Sequence, residues 1–255
     1  MVQGVWGKNQ IEGLKPSVSK DQFLEVLLGR PAYLIGSNCQ LSRKSLEEGE
    51  DSFLYAKISS DQVEDLERFQ TLGFRVVDLN LQLERTIDRS APVPSSLHNG
   101  ITVGWSQASH RIEVREMARI SFLLSRFHLD PKIENAVADQ IKATWSENFF
   151  EGKRGDRMIV STIENEVVGF ILIIEGDDFA CLDLVAVSTD HRRKGIATIM
   201  IEFALNSLGH KEKFIVGTQV SNIPSIRAYE KLGFSTFSTT YVLHYHGSFN
   251  PSLRP

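Results

Sequence analysis

The apolar positions of this chain change period several times, and each change predicts an element. Residues 182–187 form a β-rich apolar run, and in 196–208 Ile196, Met200, Ile201, Ala204 and Leu205 recur at helical spacing, so a strand leads into a helix. Upstream, 158–164 and 168–175 read as a hairpin around E-N-E-V that feeds the 182–187 strand. A strand begins at 101–103, and 110–124 and 131–150 read as helices, the second with Pro131 in its first turn. Downstream, 214–220 reads as a strand. Ser221 or Asn222 can cap the helix that follows, Pro224 suits its first turn, and Gly233 stands where a left-handed C-terminal cap belongs. A final strand carries the pattern to residue 246. The predicted class is α/β, with a mixed sheet in the order strand, helix, helix, three strands, helix, strand, helix, strand.

Residues 86–100, rich in Pro, Ser and Gly and without periodicity, mark a boundary. They divide a unit over 1–90 from a domain over 101–246, with 247–255 read as a frayed tail. In 75–83, Val77, Leu79, Leu81 and Leu83 alternate with Val76, Asp78, Asn80 and Gln82, so one face packs and the other is polar. Aligned on their L-G-F triplets, residues 53–83 look like a degenerate copy of 214–243: Phe69 falls opposite Tyr229, Leu66 opposite Ile226 and Val63 opposite Ile223. The alternative is that any strand-helix-Gly-strand unit looks alike.

The chemistry concentrates in 183–198, D-L-V-A-V-S-T-D-H-R-R-K-G-I-A-T, where R-x-x-G-x-A opens a helix directly after a strand. A helix start leaves its first N–H groups unpaired and partly positive, and small residues in the turn let a pyrophosphate approach the backbone. Neither G-x-G-x-x-G nor G-K-[ST] occurs in that place. Together with S-N-I-P-S-I-R-A-Y-E-K-L-G-F at 221–234, this resembles the acyl-CoA-binding motifs of the GNAT N-acetyltransferase superfamily. The resemblance covers roughly 101–246 and implies a GNAT acyl-CoA N-acyltransferase fold, preceded by a smaller truncated GNAT-like unit. It implies that acetyl-CoA, as cosubstrate, is held by Val185, Val187, Arg192, Arg193, Lys194, Gly195, Ile196, Ala197, Thr198 and Asn222. It further implies that Tyr229 gives a proton to the departing thiolate and that backbone N–H groups near Val187 stabilise the oxyanion. The copy over 53–83 lacks both R-x-x-G-x-A and the tyrosine, so one cofactor site per chain is expected.

A truncated unit ahead of a complete domain is similar to the TDP-fucosamine acetyltransferases, which acetylate a nucleotide-linked amino-deoxy sugar. S-R-F at 125–127, W-S-E-N at 145–148 and S-T-T-Y at 238–241 fit that group, whereas 1–52 and the longer C-terminus depart from it. The resemblance implies direct acetyl transfer to a primary amine. Arg126 and Phe127 are the expected acceptor-binding residues, and Arg126 with His128 reads either as an acceptor phosphate site or as a surface pair. Asp78 is the candidate base, or else part of an ordinary solvated strand face, with Asp183 as its rival on the face of Val185 and Val187, or else a structural partner for a nearby cation. Cys181 has no recognisable His or acid partner and reads as inert packing. His244 and His246 share a strand face without an identifiable third ligand, so no metal is expected. A protein or peptide acetyltransferase and a non-catalytic CoA-binding module are the other classes left open.

Composition narrows this further. A net charge of −4 with interspersed signs argues against a nucleic-acid partner, and two cysteines imply no disulfide framework. The first residues, M-V-Q-G-V-W-G-K, hold no apolar signal core, and the longest apolar run, 167–174, is too short to span a bilayer. A cytoplasmic enzyme without membrane contact is expected, with a homodimer open.

Overall fold

In the computed structural model, which describes residues 17–87 and 100–252, the first half contributes β1 (Val18–Lys20), α1 (Gln22–Leu28), β2 (Ala32–Ile35), α2 (Arg43–Glu47), β3 (Glu50–Ser59), α3 (Val63–Thr71) and β4 (Arg75–Thr86). The second half contributes β5 (Thr102–Trp105), α4 (Arg111–Ser121), α5 (Asn135–Phe150), β6 (Arg157–Ile163), β7 (Glu166–Glu175), β8 (Phe179–Val187), α6 (Ile196–Ser207), β9 (Lys213–Gln219), α7 (Ile223–Lys231) and β10 (Ser235–Phe249). The opening residues read for a signal core, and nearly all of the boundary over 86–100, lie outside the described residues. The predicted order after residue 100 is present. Glu164 and Asn165, at φ 50° and 69°, turn the β6–β7 hairpin with the positive φ pair that tight hairpins favour. One helix starts late: Asp130 and Ile133 close a turn, so α5 begins at Asn135 and Pro131 stands before the helix.

The two L-G-F triplets build the same exit turn. Phe74 N–H donates to Phe69 O at 3.1 Å and Phe234 N–H to Tyr229 O at 3.0 Å, while Gly73 and Gly233 take φ 94° and 78°. These are Schellman-type caps, in which only glycine adopts the left-handed residue without strain. Each cap launches an outgoing strand, β4 or β10.

Those two strands cross over. All ten strands form one sheet in the order β1-β2-β3-β10-β4-β9-β8-β7-β6-β5. The strand beside β9 is β4, which pairs with it from Asn80↔Gln219 to Thr86↔Lys213. β10 instead runs between β4 and β3, meeting β3 from Thr240↔Ser59 to Phe249↔Glu50. Either strand satisfies the same backbone groups, so the exchange costs no ladder hydrogen bonds and welds the halves through two long antiparallel pairings. β10 continues past residue 246 to Phe249, which is 1% exposed and packs edge-on against Tyr33. The start of the expected tail is therefore strand.

Helices α1, α4 and α5 cover one face of the sheet, and α2, α3, α6 and α7 the other. No described helix is long and apolar enough to cross a membrane.

Candidate active site

The sheet opens at β8. Its parallel pairing with β9 runs only from Phe179↔Lys213 to Leu182↔Val216, although β8 stays paired with β7 as far as Gly169↔Val187. Residues 183–187 and 217–219 therefore face each other across a gap with unpaired backbone edges, which an amide-bearing ligand can engage. A bulge accompanies the opening. Leu172 pairs with Leu184 and Ile173 with Leu182, so Asp183 is the extra residue, and a bulge bends and twists its strand. It also resets the alternation: Leu182, Val185 and Val187 pack on the α6 side, Leu184 and Ala186 on the α4–α5 side. Asp183 does not share the face of Val185 and Val187, as simple counting predicts. It turns to the α5 side and accepts from Arg154 Nε and Nη2 at 2.9 and 2.8 Å.

Beyond β8, one 3-10 turn (Thr189–His191) leads through exposed Arg192, Arg193 and Lys194 to Gly195. Gly195 is the N-cap of α6 at φ 80° and supplies no side-chain cap, so the first amides of α6 are left for an anion. Ile196 is buried and can offer only its backbone there, while Ala197 and Thr198 are half-buried. His191 hydrogen-bonds Ser188 Oγ at 2.8 Å and belongs to the turn.

On the α5 side, a cavity of about 110 Å³ lies at the mouth of the gap, lined among others by Asp78, Arg126, Lys142, Trp145, Asp183 and Gln219. Asp78 is 6% exposed, and its Oδ2 has no hydrogen-bond partner among the described residues. Burial pushes its carboxyl up to about 6, against the opposing pull of hydrogen bonds from Leu79 and Gln219 and of the charges on Arg126 and Lys142. Lys142 lies 4.4 Å from the Trp145 ring centre and 5.0 Å from that of Phe122. Burial lowers its ammonium to about 7, only partly offset by Asp183. Arg126 is buried between the rings of Tyr55 and Phe127, at 4.2 and 4.5 Å. Phe127 is fully buried, edge-on to Trp145.

Not every expected site residue converges here. Tyr229 is 5% exposed and packs with α6 residues on the opposite face, its phenol raised by burial. The sheet, open between β8 and β9, separates that face from the Asp78 cavity. Asn222 spends its amide locally: Oδ1 accepts from Ser225 N–H at 3.4 Å and Nδ2 donates to Thr218 Oγ1 at 3.2 Å. His128 bonds Ser125 Oγ at 2.7 Å and Asp139 at 2.9 Å, so both its ring nitrogens are engaged between the α4–α5 loop and α5. Cys181 is buried, and burial raises its thiol well above the usual range.

The histidine pair departs most from expectation. His244 is 1% exposed rather than solvated, and the α4–α5 loop supplies a third group, Asp130, whose Oδ2 lies 2.7 Å from both His244 Nδ1 and His246 Nε2. The candidate ligand atoms of the three fall within 4.8 Å of one another. Arg30 closes on His246 Nδ1; because arginine can only donate, Nε2 carries the imidazole proton and donates to Asp130. Burial alone would raise the Asp130 carboxyl, but hydrogen bonds from His244 and His246 hold it well below the usual range. Burial lowers His244 to about 4. The geometry is that of a hydrogen-bonded network, two imidazoles on one carboxylate, tying the loop that bears Arg126 to β10. Sequence reading missed Lys142, Arg154 and Asp130, since no local pattern marks a polar residue that is buried only by a distant segment.

Residues 119–234 match the model of the acetyltransferase (GNAT) family. The spore coat polysaccharide biosynthesis protein SpsD of Bacillus subtilis is 32% identical over 131 residues, which are 51% of this chain and 45% of that protein. The chain thus spans less than half the length of that relative. Among solved structures, a functionally unknown conserved protein of Staphylococcus epidermidis superposes with a TM-score of 0.61 at 12% identity, over 92% of this chain and 93% of that one. A tandem GNAT protein from the clavulanic acid biosynthesis pathway gives 0.55 at 13% identity, over 76% and 64%. At such identities the likeness concerns the fold alone.

Proposed function

We propose that this protein, whose residues 119–234 match the GNAT acetyltransferase family model, transfers the acetyl group of acetyl-CoA directly to a primary amine, that of a nucleotide-linked amino-deoxy sugar. The observation that carries the reading is the β8–β9 gap, which runs from the uncapped start of α6 to the Asp78 cavity. Pyrophosphate at the α6 amides and Arg192–Lys194 would lay the pantetheine arm along the open edge of β8, with its thioester at the gap. Asp78, unpaired on one oxygen, takes the ammonium proton of the acceptor; the neutral amine then attacks the thioester carbonyl. Backbone N–H groups of β8 near Val187 hold the oxyanion; the C–S bond breaks as Tyr229 protonates the leaving thiolate, and the tyrosinate is reprotonated by the proton that the acetylated nitrogen sheds.

The sugar acceptor is supported by the S-R-F triplet, whose three residues all line the cavity, and by the polysaccharide pathway named for the Bacillus relative. A basic peptide acceptor calls for an acidic groove, whereas the lining holds Lys57, Arg126, Lys142 and Arg154 against Asp78 and Asp183. Thiol release from acetyl-CoA, measured across a panel of nucleotide-linked amino sugars and peptides, tests the proposal. Turnover with peptides alone would overturn the acceptor assignment, and no turnover with any amine would overturn the activity.

A further inference from the structure

Two groups of opposite charge face one cavity and leave polar atoms without a partner among the described residues: Asp78 at Oδ2, and Arg126 at both Nη1 and Nη2. Each residue is 6% exposed, so water does not substitute freely for the missing partners. Arg126 is the more demanding of the two. Its guanidinium stays charged, and its planar fork is matched to an oxyanion. Tyr55 and Phe127 fix the plane of that fork through their rings. The Tyr55 hydroxyl donates to Asp21 Oδ2 at 2.9 Å and keeps lone pairs that can accept, but neither terminal nitrogen of Arg126 meets hydrogen-bond geometry with it. The other arginine of the lining, Arg154, already has its carboxylate in Asp183, so Arg126 is the guanidinium there whose terminal nitrogens lack an acceptor.

We infer that the acceptor carries an anionic oxygen group, a phosphate or a carboxylate, within reach of the cavity that takes its amine, the anion seated in the Arg126 fork and the amine at Asp78. The amine half rests on the acetyl-transfer reading; the anion half stands on Arg126 alone. This makes Arg126 the specificity-determining residue, selecting anionic amines over neutral ones of equal size.

Calorimetric titration of the full chain, with and without saturating CoA, compares 2-aminoethyl phosphate and 3-aminopropanoate with ethanolamine. The expected result is at least tenfold tighter binding of an anionic amine than of ethanolamine, with the tighter of the two identifying phosphate or carboxylate. Arg126→Gln is expected to remove that advantage while CoA affinity is unchanged. Should Arg126→Gln not fold, Arg126→Lys keeps the charge without the fork and is expected to lose most of the same advantage. Equal affinity for ethanolamine and both anionic amines, or an advantage that survives in the folded variants, would overturn the inference. An intact, Arg126-dependent anion preference without thiol release would uphold the anion site while sinking the acetyl-transfer reading.

Discussion

Replacing Asp78 with Asn removes a carboxylate that is expensive to ionise where it stands. In the folded chain its proton leaves at about 6, against 3.8 for an ordinary aspartate, because burial disfavours the charged form. That difference corresponds to about 3 kcal/mol. The sign follows from proton binding: between the two values the folded state holds more protons than the unfolded one, so the contribution of Asp78 to stability falls as pH rises. Below pH 4 the neutral acid and the amide are nearly isosteric, and the two proteins should differ little. By pH 6.5 nearly the whole penalty has developed, while Lys142, which titrates at about 7, is still mostly charged in both. Urea unfolding of both proteins from pH 4 to 6.5 should show Asp78→Asn gaining about 2 kcal/mol relative to wild type across that window. Acetyl transfer should move the other way, falling at least about 100-fold if Asp78 is the base. In the wild type, kcat/KM should climb with pH through about 6 and then level. A stability offset that does not change with pH would refute the argument from burial, and unimpaired turnover would refute the catalytic role.

Gly195→Glu should abolish CoA binding in calorimetry, because it strains a left-handed position and sets a carboxylate against the pyrophosphate; retained affinity with an intact fold would move the site elsewhere. Tyr229→Phe should slow turnover about 100-fold with CoA affinity nearly unchanged, whereas a core aromatic alone would tolerate the loss of its hydroxyl. Arg154→Ala should destabilise the chain by about 3–5 kcal/mol in denaturant titration by stranding Asp183, and the double change Arg154→Met with Asp183→Leu should recover most of that loss. CoA titration should saturate at one molecule per chain. In the first unit β2 and β3 stay paired from Ala32↔Phe53 to Ile35↔Ala56, and Arg68 fills the corresponding loop by donating to Cys39 O and Ser37 O.

The repeat around the two L-G-F triplets and the uncapped start of α6 were legible because both are local: a left-handed glycine after a helix, or a small-residue turn after an apolar strand, needs no distant partner to declare itself. The polar face of β4 that carries Asp78 was legible for the same reason, since alternation survives wherever the strand is regular. Alternation failed at Asp183, where a bulge that the residue pattern does not mark reverses the face. It could not reveal which outgoing strand pairs with β9, because β4 and β10 leave identical turns and offer equivalent backbone edges. Buried charge was equally out of reach. Lys142, Arg154 and the Asp130–His244–His246 network read as surface residues until segments up to 116 positions apart close over them. Local backbone preference and periodicity are written in neighbouring residues, so the sequence by itself determined the elements and the small-residue turn that opens α6. Strand exchange, burial and the resulting proton affinities depend on which remote surfaces meet, and only the tertiary structure decided those.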